Sequence, residues 1–368
     1  MGRHKIRIAL VGVGNCASSL LQVTHFYHSV PPTKAYGLMH YKIGGFTPAD
    51  IEVVAAFDID ARKVGKDLSQ AILADPNCTY EICREIPPLG VKVQMGRLLD
   101  GVAPHMAQYP KPSRFVVSKR KAVDVVDVLR KSGAEILINY LPVGAQRATE
   151  YYARSAVNAG VALVNCIPIF IASNEKWERR FRNKGLPIVG DDIKAQFGAT
   201  PLHRCLVKAM SDRGIHIERT YQLNIGGNTD FLNMLDRSRL RSKKVSKTEA
   251  VCSEMPSKPK LKKQNIHVGP SDYVPWLKDK KICYIAIEGR QIAGIPITVE
   301  AKLSVEDSPN SAGTVVEAIR CCKLALQRGI GGALTSACAY LMKHPPKQMT
   351  EFEARKRLEA FIRGKDRN

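Results

Sequence analysis

The 368-residue sequence predicts an α/β fold, a doubly wound parallel sheet followed by a second, smaller α+β domain. Three observations predict it. A short apolar run near the N-terminus breaks into a glycine turn and then a helical pattern. Apolar strands alternate with helical patterns as far as residue 189, and past Pro201 the pattern shifts to strand-like segments around a lysine-rich block. Strands that alternate with helices imply a parallel sheet, because each crossover helix packs back on the sheet it left.

The elements follow in order. Residues 6–11, Ile-Arg-Ile-Ala-Leu-Val, stop at Gly12, and residues 17–26 carry apolar side chains at helical spacing. Residues 29–49, with Pro31, Pro32, Gly37, Gly44, Gly45 and Pro48, read as an inserted excursion. Residues 51–57 resume as a buried strand ending at Asp58-Ile59-Asp60. Further strands are expected at 136–141, 162–167 and 187–189, separated by helical patterns at 121–131, 144–158 and 174–183. After Pro201 come an amphipathic helix, a strand at 220–225, the lysine-rich block, and strands at 282–288 and 297–303 joined by 289–294. Residues 312–341 read as helical and apolar, and 351–363 as a final charged helix. The expected domains are therefore 1–200, 201–310 with its own sheet, and 311–368 returning to the first domain.

Composition narrows the function classes. Hydrophobic residues at 45% and charged residues at 24% are ordinary for a globular protein, and no run approaches the ~18 apolar residues of a membrane span. Met-Gly-Arg-His-Lys leads straight into the first strand without the apolar region of a signal peptide, so a cytoplasmic protein without a membrane partner is expected. The ten cysteines form no C-x-x-C pair and read as small buried hydrophobes in a reducing compartment. The net charge is +22, and residues 237–281 hold thirteen Lys and Arg against four acidic residues. That block lacks the interleaved aromatics of a nucleic-acid platform, so a phosphorylated metabolite rather than nucleic acid is the expected anionic partner.

Gly12-Val13-Gly14-Asn15-Cys16-Ala17 fits G-x-G-x-x-A in the strand–turn–helix context of a Rossmann-type dinucleotide site. Gly12 permits the turn, Gly14 lets a pyrophosphate approach, and Ala17 lets helix and sheet pack. Asp58 falls 46 residues after Gly12, and the excursion at 29–49 accounts for the excess over the usual ~20. A carboxylate there accepts from the adenosine ribose and repels a 2′-phosphate, which favours NAD over NADP; Asp60 competes for the role. Asn139-Tyr140-Leu141-Pro142-Val143-Gly144 and Asn165-Cys166-Ile167-Pro168 end two further strands, where ligands bind in such folds. Gly190-Asp191-Asp192-Ile193-Lys194 follows a third. Lys243 and Lys247, four residues apart, share one helical face and suit an anionic substrate.

Five motifs occur in order: Gly190-Asp191-Asp192-Ile193-Lys194, the run from Leu223 through Asn228 to Asp230, Arg241-Ser242-Lys243-Lys244-Val245-Ser246-Lys247, Glu306-Asp307-Ser308-Pro309-Asn310-Ser311-Ala312-Gly313, and Tyr340-Leu341-Met342-Lys343. With these the chain resembles, from first strand to last helix, the inositol-1-phosphate synthase family in its shorter bacterial and archaeal form. The resemblance implies conversion of D-glucose 6-phosphate to 1L-myo-inositol 1-phosphate with NAD that is not consumed. C5 is oxidised, a proton leaves C6, C6 closes onto the C1 aldehyde, and the ketone is reduced back. It implies essential lysines at Lys243, Lys247, Lys281 and Lys343 and paired carboxylates at Asp192 and Asp230, with Lys194 and Asp307 near them. Lys343 and Lys281 are assigned to proton transfer and enolate stabilisation at C5, and Lys243 with Lys247 to the phosphate and C1 end. For NAD it implies contacts from Gly12, Gly14, Asn15, Cys16, Ala17, Asp58, Tyr140, Pro142, Asp191 and Asp307. A homotetramer joined through the second domain is implied too, and whether a monovalent or divalent cation assists is left open. The rival readings are a net NAD-dependent dehydrogenase of a phosphorylated sugar, and a polyanion-binding module without catalysis.

Overall fold

A computed structural model of the chain describes residues 5–255 and 261–366. Residues 1–4 of the N-terminal reading, and Lys258 and Lys260 of the basic block, lie outside the described residues.

The first sheet holds β1 (Ile6–Val11), β2 (Ile51–Asp58), β3 (Val93–Met95), β4 (Ile136–Asn139), β5 (Ala162–Asn165), β6 (Pro187–Val189) and β11 (Gly332–Ala333). Its order is β11-β6-β5-β4-β1-β2-β3, and all pairs are parallel. The side-chain period of two decides the layers. Ile6, Ile8 and Leu10 face a core shared with α1 (Asn15–Ser29), whereas Ala9 and Val11 face a second core with Phe57, Leu129 and Tyr152. On that second face pack α3 (Val125–Ser132), α4 (Gln146–Ala159) and α5 (Glu175–Asn183), while α2 (Leu68–Ala71) lies after β2. The sheet is thus doubly wound, as the sequence predicts.

The second sheet, in the order β10-β9-β7-β8, comprises β7 (His216–Gly226), β8 (Ile266–Tyr273), β9 (Lys280–Arg290) and β10 (Pro296–Glu306). β9 runs antiparallel to both β7 and β10, and β8 runs parallel to β7. One face is covered by α6 (Ala199–Asp212), with Val207 and Met210 in its core, and by α8 (Arg241–Cys252), with Val251; the short α7 (Thr229–Asn233) precedes α8. The apolar stretch at 312–341 is two helices, α9 (Asp307–Gln327) and α10 (Thr335–Leu341), separated at Gly329, whose φ is +66°. α9 packs on α1 and on β4, β5 and β6, and α11 (Glu351–Ile362) packs on α10.

Three strands escape the sequence reading. β3 and β11 are too short for a period to register. β8 carries Gly269-Pro270 in its interior, a turn signal by sequence, but it is an edge strand, where a missing N–H costs nothing. All ten cysteines are free; five are buried as expected, but Cys16, Cys78, Cys83 and Cys252 are half-buried and Cys205 is exposed. Among the described residues no helix is long and apolar enough to cross a membrane.

Candidate active site

A cleft of about 1340 Å³, open mouth included, lies between the carboxyl ends of β1, β4, β5 and β6 and the second sheet. The loops after those strands contribute Gly14, Asn15, Cys16, Tyr140, Pro142, Cys166 and Asp192, and the facing wall contributes Asp230, Lys243, Lys247, Lys281, Asp307 and Lys343. Sequence segments more than 300 residues apart therefore share one chamber.

The wall formed around the glycine loop, read in sequence as the nucleotide side, is built mainly of backbone. Gly12 has φ +88°, and a Cβ there would stand 2.6 Å from the Tyr140 carbonyl oxygen, so the turn excludes any larger residue. A Cβ on Gly14 would meet nothing within 4 Å. Gly14 also N-caps α1, which has no side-chain cap and no acidic residue in its first turn. Free N–H groups and an open approach fit an anionic pyrophosphate. The Asp58 carboxylate accepts from the backbone N–H groups of Val13 and Ile59 at 2.7 Å and of Asp60 at 2.8 Å, which fixes it beside the loop. Asp60 is fully buried and is taken by the Arg62 guanidinium, at 2.7 and 2.9 Å, and by the Val116 N–H. Asp60 is thus committed to Arg62, whereas Asp58 is held beside the glycine loop by backbone contacts, and neither acid is among the residues lining the cleft. The Tyr140 hydroxyl is buried without a hydrogen-bond partner among the described residues, an orphan that a ligand in the cleft would satisfy. Ala17, fully buried, packs α1 on the sheet, the role expected of it, and has no place on the cleft surface.

The opposite wall is built of charges. Lys343 Nζ donates to Asp192 Oδ1 at 2.9 Å, Lys243 Nζ lies 3.6 Å from Asp230 Oδ2, and Lys281 pairs with Asp307. Ser246 donates to the other oxygen of Asp192. Lys247, 7% exposed, has no hydrogen-bond or ion-pair partner among the described residues. The electrostatic consequences differ from group to group. Burial, with the charges of Lys243, Lys343 and Lys281, holds Lys247 well below the ordinary lysine pKa. Burial also lowers Lys343, against the opposing pull of Asp192. For Lys243 burial acts downward, but Asp230, Asp192 and Asp307 outweigh it and the net shift is upward. Burial raises Asp192 and Asp307, yet their lysine neighbours win and both carboxyls end below the usual range. The basic helix is thus no solvated face: Lys243 and Lys247 share the inward side of α8 with the buried Ser246, while Arg241, Lys244, Val245 and Glu249 are exposed.

Two further expected site residues are placed off the cleft surface. Asp191, read as a cofactor contact, is fully buried and accepts from Asn165 Nδ2, the N–H groups of Ile171, Ala172 and Ser173, and the Ser173 hydroxyl; its lone pairs are spent on its own loop. Lys194, expected beside Asp192, turns away from the cleft to Glu351 Oε2 at 3.0 Å and the Ala339 carbonyl at 3.3 Å. Glu351 also meets the buried Arg204, which pairs with Glu254 at 2.6 Å, so this ion cluster ties α6, α8 and α11 together behind the site. The cause is the backbone at Asp192, whose φ of +62° bends the chain and separates its neighbours.

One acid escaped the sequence reading. Asp279, 1% exposed, accepts from Asn228 Nδ2 at 2.9 Å, Thr79 Oγ1 at 2.9 Å, the Ser308 hydroxyl at 2.9 Å and the Ser308 N–H at 3.1 Å, with Asn15 Nδ2 at 3.4 Å. It joins the start of α1, the N-cap of α7 and the start of α9. Burial and the nearby Asp307 push its carboxyl up to about 6, against those hydrogen bonds. In sequence it lies between Lys278 and Lys280 and reads as one charge in a basic run; its position at the start of an apolar strand was the only signal.

Comparison with known proteins now bears on this cleft. Residues 198–308 match the family model described as myo-inositol-1-phosphate synthase. The chain is 51% identical over 369 residues to an inositol-3-phosphate synthase of Mycolicibacterium smegmatis, covering 99% of this chain and 100% of that one. The chain belongs to the inositol-3-phosphate synthase family. It is also 49% identical to an inositol-3-phosphate synthase of Corynebacterium glutamicum, over 98% of this chain and 99% of that one. Among solved structures, a myo-inositol-1-phosphate synthase-related protein from Thermotoga maritima has the same fold, with a TM-score of 0.80, 23% identity and 98% of each chain covered.

Proposed function

We propose that this family member converts D-glucose 6-phosphate to 1L-myo-inositol 1-phosphate by NAD-dependent oxidation at C5, enolisation, closure of C6 onto C1 and re-reduction. The chain is an enzyme of the intramolecular isomerase type. The observation that carries the mechanism is the imbalance on the charged wall: four lysines face three aspartates, and Lys247 is the one without a carboxylate partner. A cleft with residual positive charge suits a phosphate and developing oxyanions.

Bound along the glycine loop, NAD supplies a reversible oxidation at C5. The chain's own residues do the rest. Lys343, lowered by burial, can in its neutral form take the C5 hydroxyl proton, and the Asp192 carboxylate that accepts its hydrogen bond stabilises the ammonium that results. Lys281 beside Asp307 stabilises the enolate formed once C6 loses its proton. Sequence reasoning gave Lys243 and Lys247 one shared task, and their opposed shifts divide it. Lys243 is held as an ammonium for the C1 oxygen, and Lys247, lowered by burial and by the charges of Lys243, Lys343 and Lys281, is the one of the pair that releases and takes up a proton more readily. For the phosphate, the N-terminus of α6 supports binding: its cap Gly198 gives no side-chain cap, its first turn has no acid, and Gly198, Ala199 and Thr200 line the cleft. No step requires a Schiff base. Among the described residues no group of three or more His, Cys, Asp or Glu is arranged to hold a metal ion. We also infer a homotetramer assembled through the second sheet, whose outer face exposes Tyr221 and Tyr284.

The test is turnover of glucose 6-phosphate with NAD at a small fraction of the substrate concentration. An inositol phosphate should form in large molar excess over NAD; product limited to the NAD supplied would reject the reading.

A further inference from the structure

Lys63 is 1% exposed, and lysine is almost never so deeply buried unless it is paired. Its Nζ donates to the Val13 carbonyl at 2.7 Å and to Asn77 Oδ1 at 2.8 Å. Asn77 in turn donates to the same Val13 carbonyl at 3.1 Å and to the Ile72 carbonyl at 2.9 Å. On the other side, the Val13 N–H is held by Asp58 at 2.7 Å. Both backbone polar groups of the residue between Gly12 and Gly14 are thereby clamped, and the clamp presents the open N-terminus of α1 to the cleft.

Among the described residues no carboxylate lies within ion-pair distance of Lys63. Asp58, Asp60 and Asp75 act on it only from farther off, Asp60 being already taken by Arg62. Burial outweighs their pull and lowers its pKa. A neutral donor would hold the Val13 carbonyl as well and avoid the desolvation of an unpaired ammonium. A cation in that position is useful when an anion comes to the loop it supports.

We propose that Lys63 is a positioning residue for the dinucleotide, a buried cation that fixes the glycine loop from beneath and adds to the positive field on the cofactor's pyrophosphate. The inference rests on the dinucleotide reading of the cleft. It differs from that reading in assigning part of the affinity to a charge outside the fingerprint and off the cleft surface.

Binding to the full chain is measured by titration calorimetry with NAD, ADP-ribose and adenosine, for the parent, Lys63→Met and Lys63→Gln. Thermal unfolding is recorded alongside. Gln keeps a donor for the Val13 carbonyl and loses the charge. Both variants should bind NAD and ADP-ribose on the order of tenfold more weakly, the scale of one charge-assisted contact, while adenosine, which lacks the pyrophosphate, changes by less than about twofold. Asn77→Ser, which keeps the cation, should lose much less ADP-ribose affinity than Lys63→Gln. Equal losses for adenosine and ADP-ribose, parent-like binding by Lys63→Gln, or failure of both Lys63 variants to fold would each overturn the proposal and leave Lys63 a support of the fold alone. If the parent binds neither NAD nor ADP-ribose, the dinucleotide reading itself fails.

Discussion

The two walls of the cleft obtain their chemistry from different sources. On the nucleotide wall, Gly12, Gly14 and the first turn of α1 offer backbone N–H groups and empty space, and all of it is encoded within six consecutive residues. On the charged wall, Lys243, Lys247, Lys281 and Lys343 come from α8, β9 and the segment after α10, and each aspartate that balances one of them comes from another element. A backbone site is set by local conformation and needs from elsewhere only the few contacts that fix it, here Asp58 and Lys63. A charge site exists only when the two sheets are held together, and its pKa values are properties of the assembly.

Substitutions should separate the walls. The largest effects are expected from Lys247→Ala and Lys343→Ala, which should keep NAD affinity and lose turnover by on the order of a hundredfold or more, since a preorganised charge contact in a dry site is worth ~3 kcal/mol. Steady-state kinetics with parallel NAD titrations would check this, and a loss of NAD affinity matching the loss of turnover would merge the two walls into one. Asp58→Ala should do the reverse. NAD binding weakens about tenfold, and discrimination against NADP shrinks, because the variant loses a ribose acceptor and a charge that repels the 2′-phosphate. If Asp60→Ala shifts that ratio and Asp58→Ala does not, the acids have been exchanged.

A smaller effect concerns stability. Below the ordinary lysine value of 10.5, the unfolded chain holds a proton that buried Lys247 tends to release, so the native state is penalised there and the penalty fades as pH rises toward that value. Lys247→Met should therefore be more stable than the parent at neutral pH, by on the order of 1 kcal/mol, with the gap closing as the solution becomes alkaline. Unfolding curves at several pH values test it, and a destabilised variant at neutral pH would contradict the assigned burial of charge. The smallest effect on catalysis is expected from Lys194→Met. Because its ammonium meets Glu351 and not the cleft, turnover should stay within about threefold while stability falls by about 1–2 kcal/mol.

That last pair of outcomes marks where sequence reasoning runs out. The G-x-G-x-x-A turn and the Lys243–Lys247 spacing were legible because each depends on local geometry or on the helical repeat. Asp191 and Lys194 were placed in the site by the motif they share with Asp192, and the bend at Asp192 sends the three side chains to three environments. Asp279 and Lys63 were invisible for the opposite reason. Nothing local distinguishes a buried charge from a solvated one, and only the packing of β9 and of the segment after β2 against the glycine loop removes them from water. β8 was hidden by Gly269-Pro270, tolerable only because the strand lies at a sheet edge.

The central claim is that oxidation at one wall and proton transfer at the other are completed in a single visit of the substrate to one chamber. The most direct test follows glucose 6-phosphate deuterated at C5 through turnover with unlabelled NAD. The account predicts an inositol phosphate that retains the deuterium at full occupancy, with no accumulation of NADH. Loss of the label from the product, or NADH formed in proportion to substrate consumed, would contradict it.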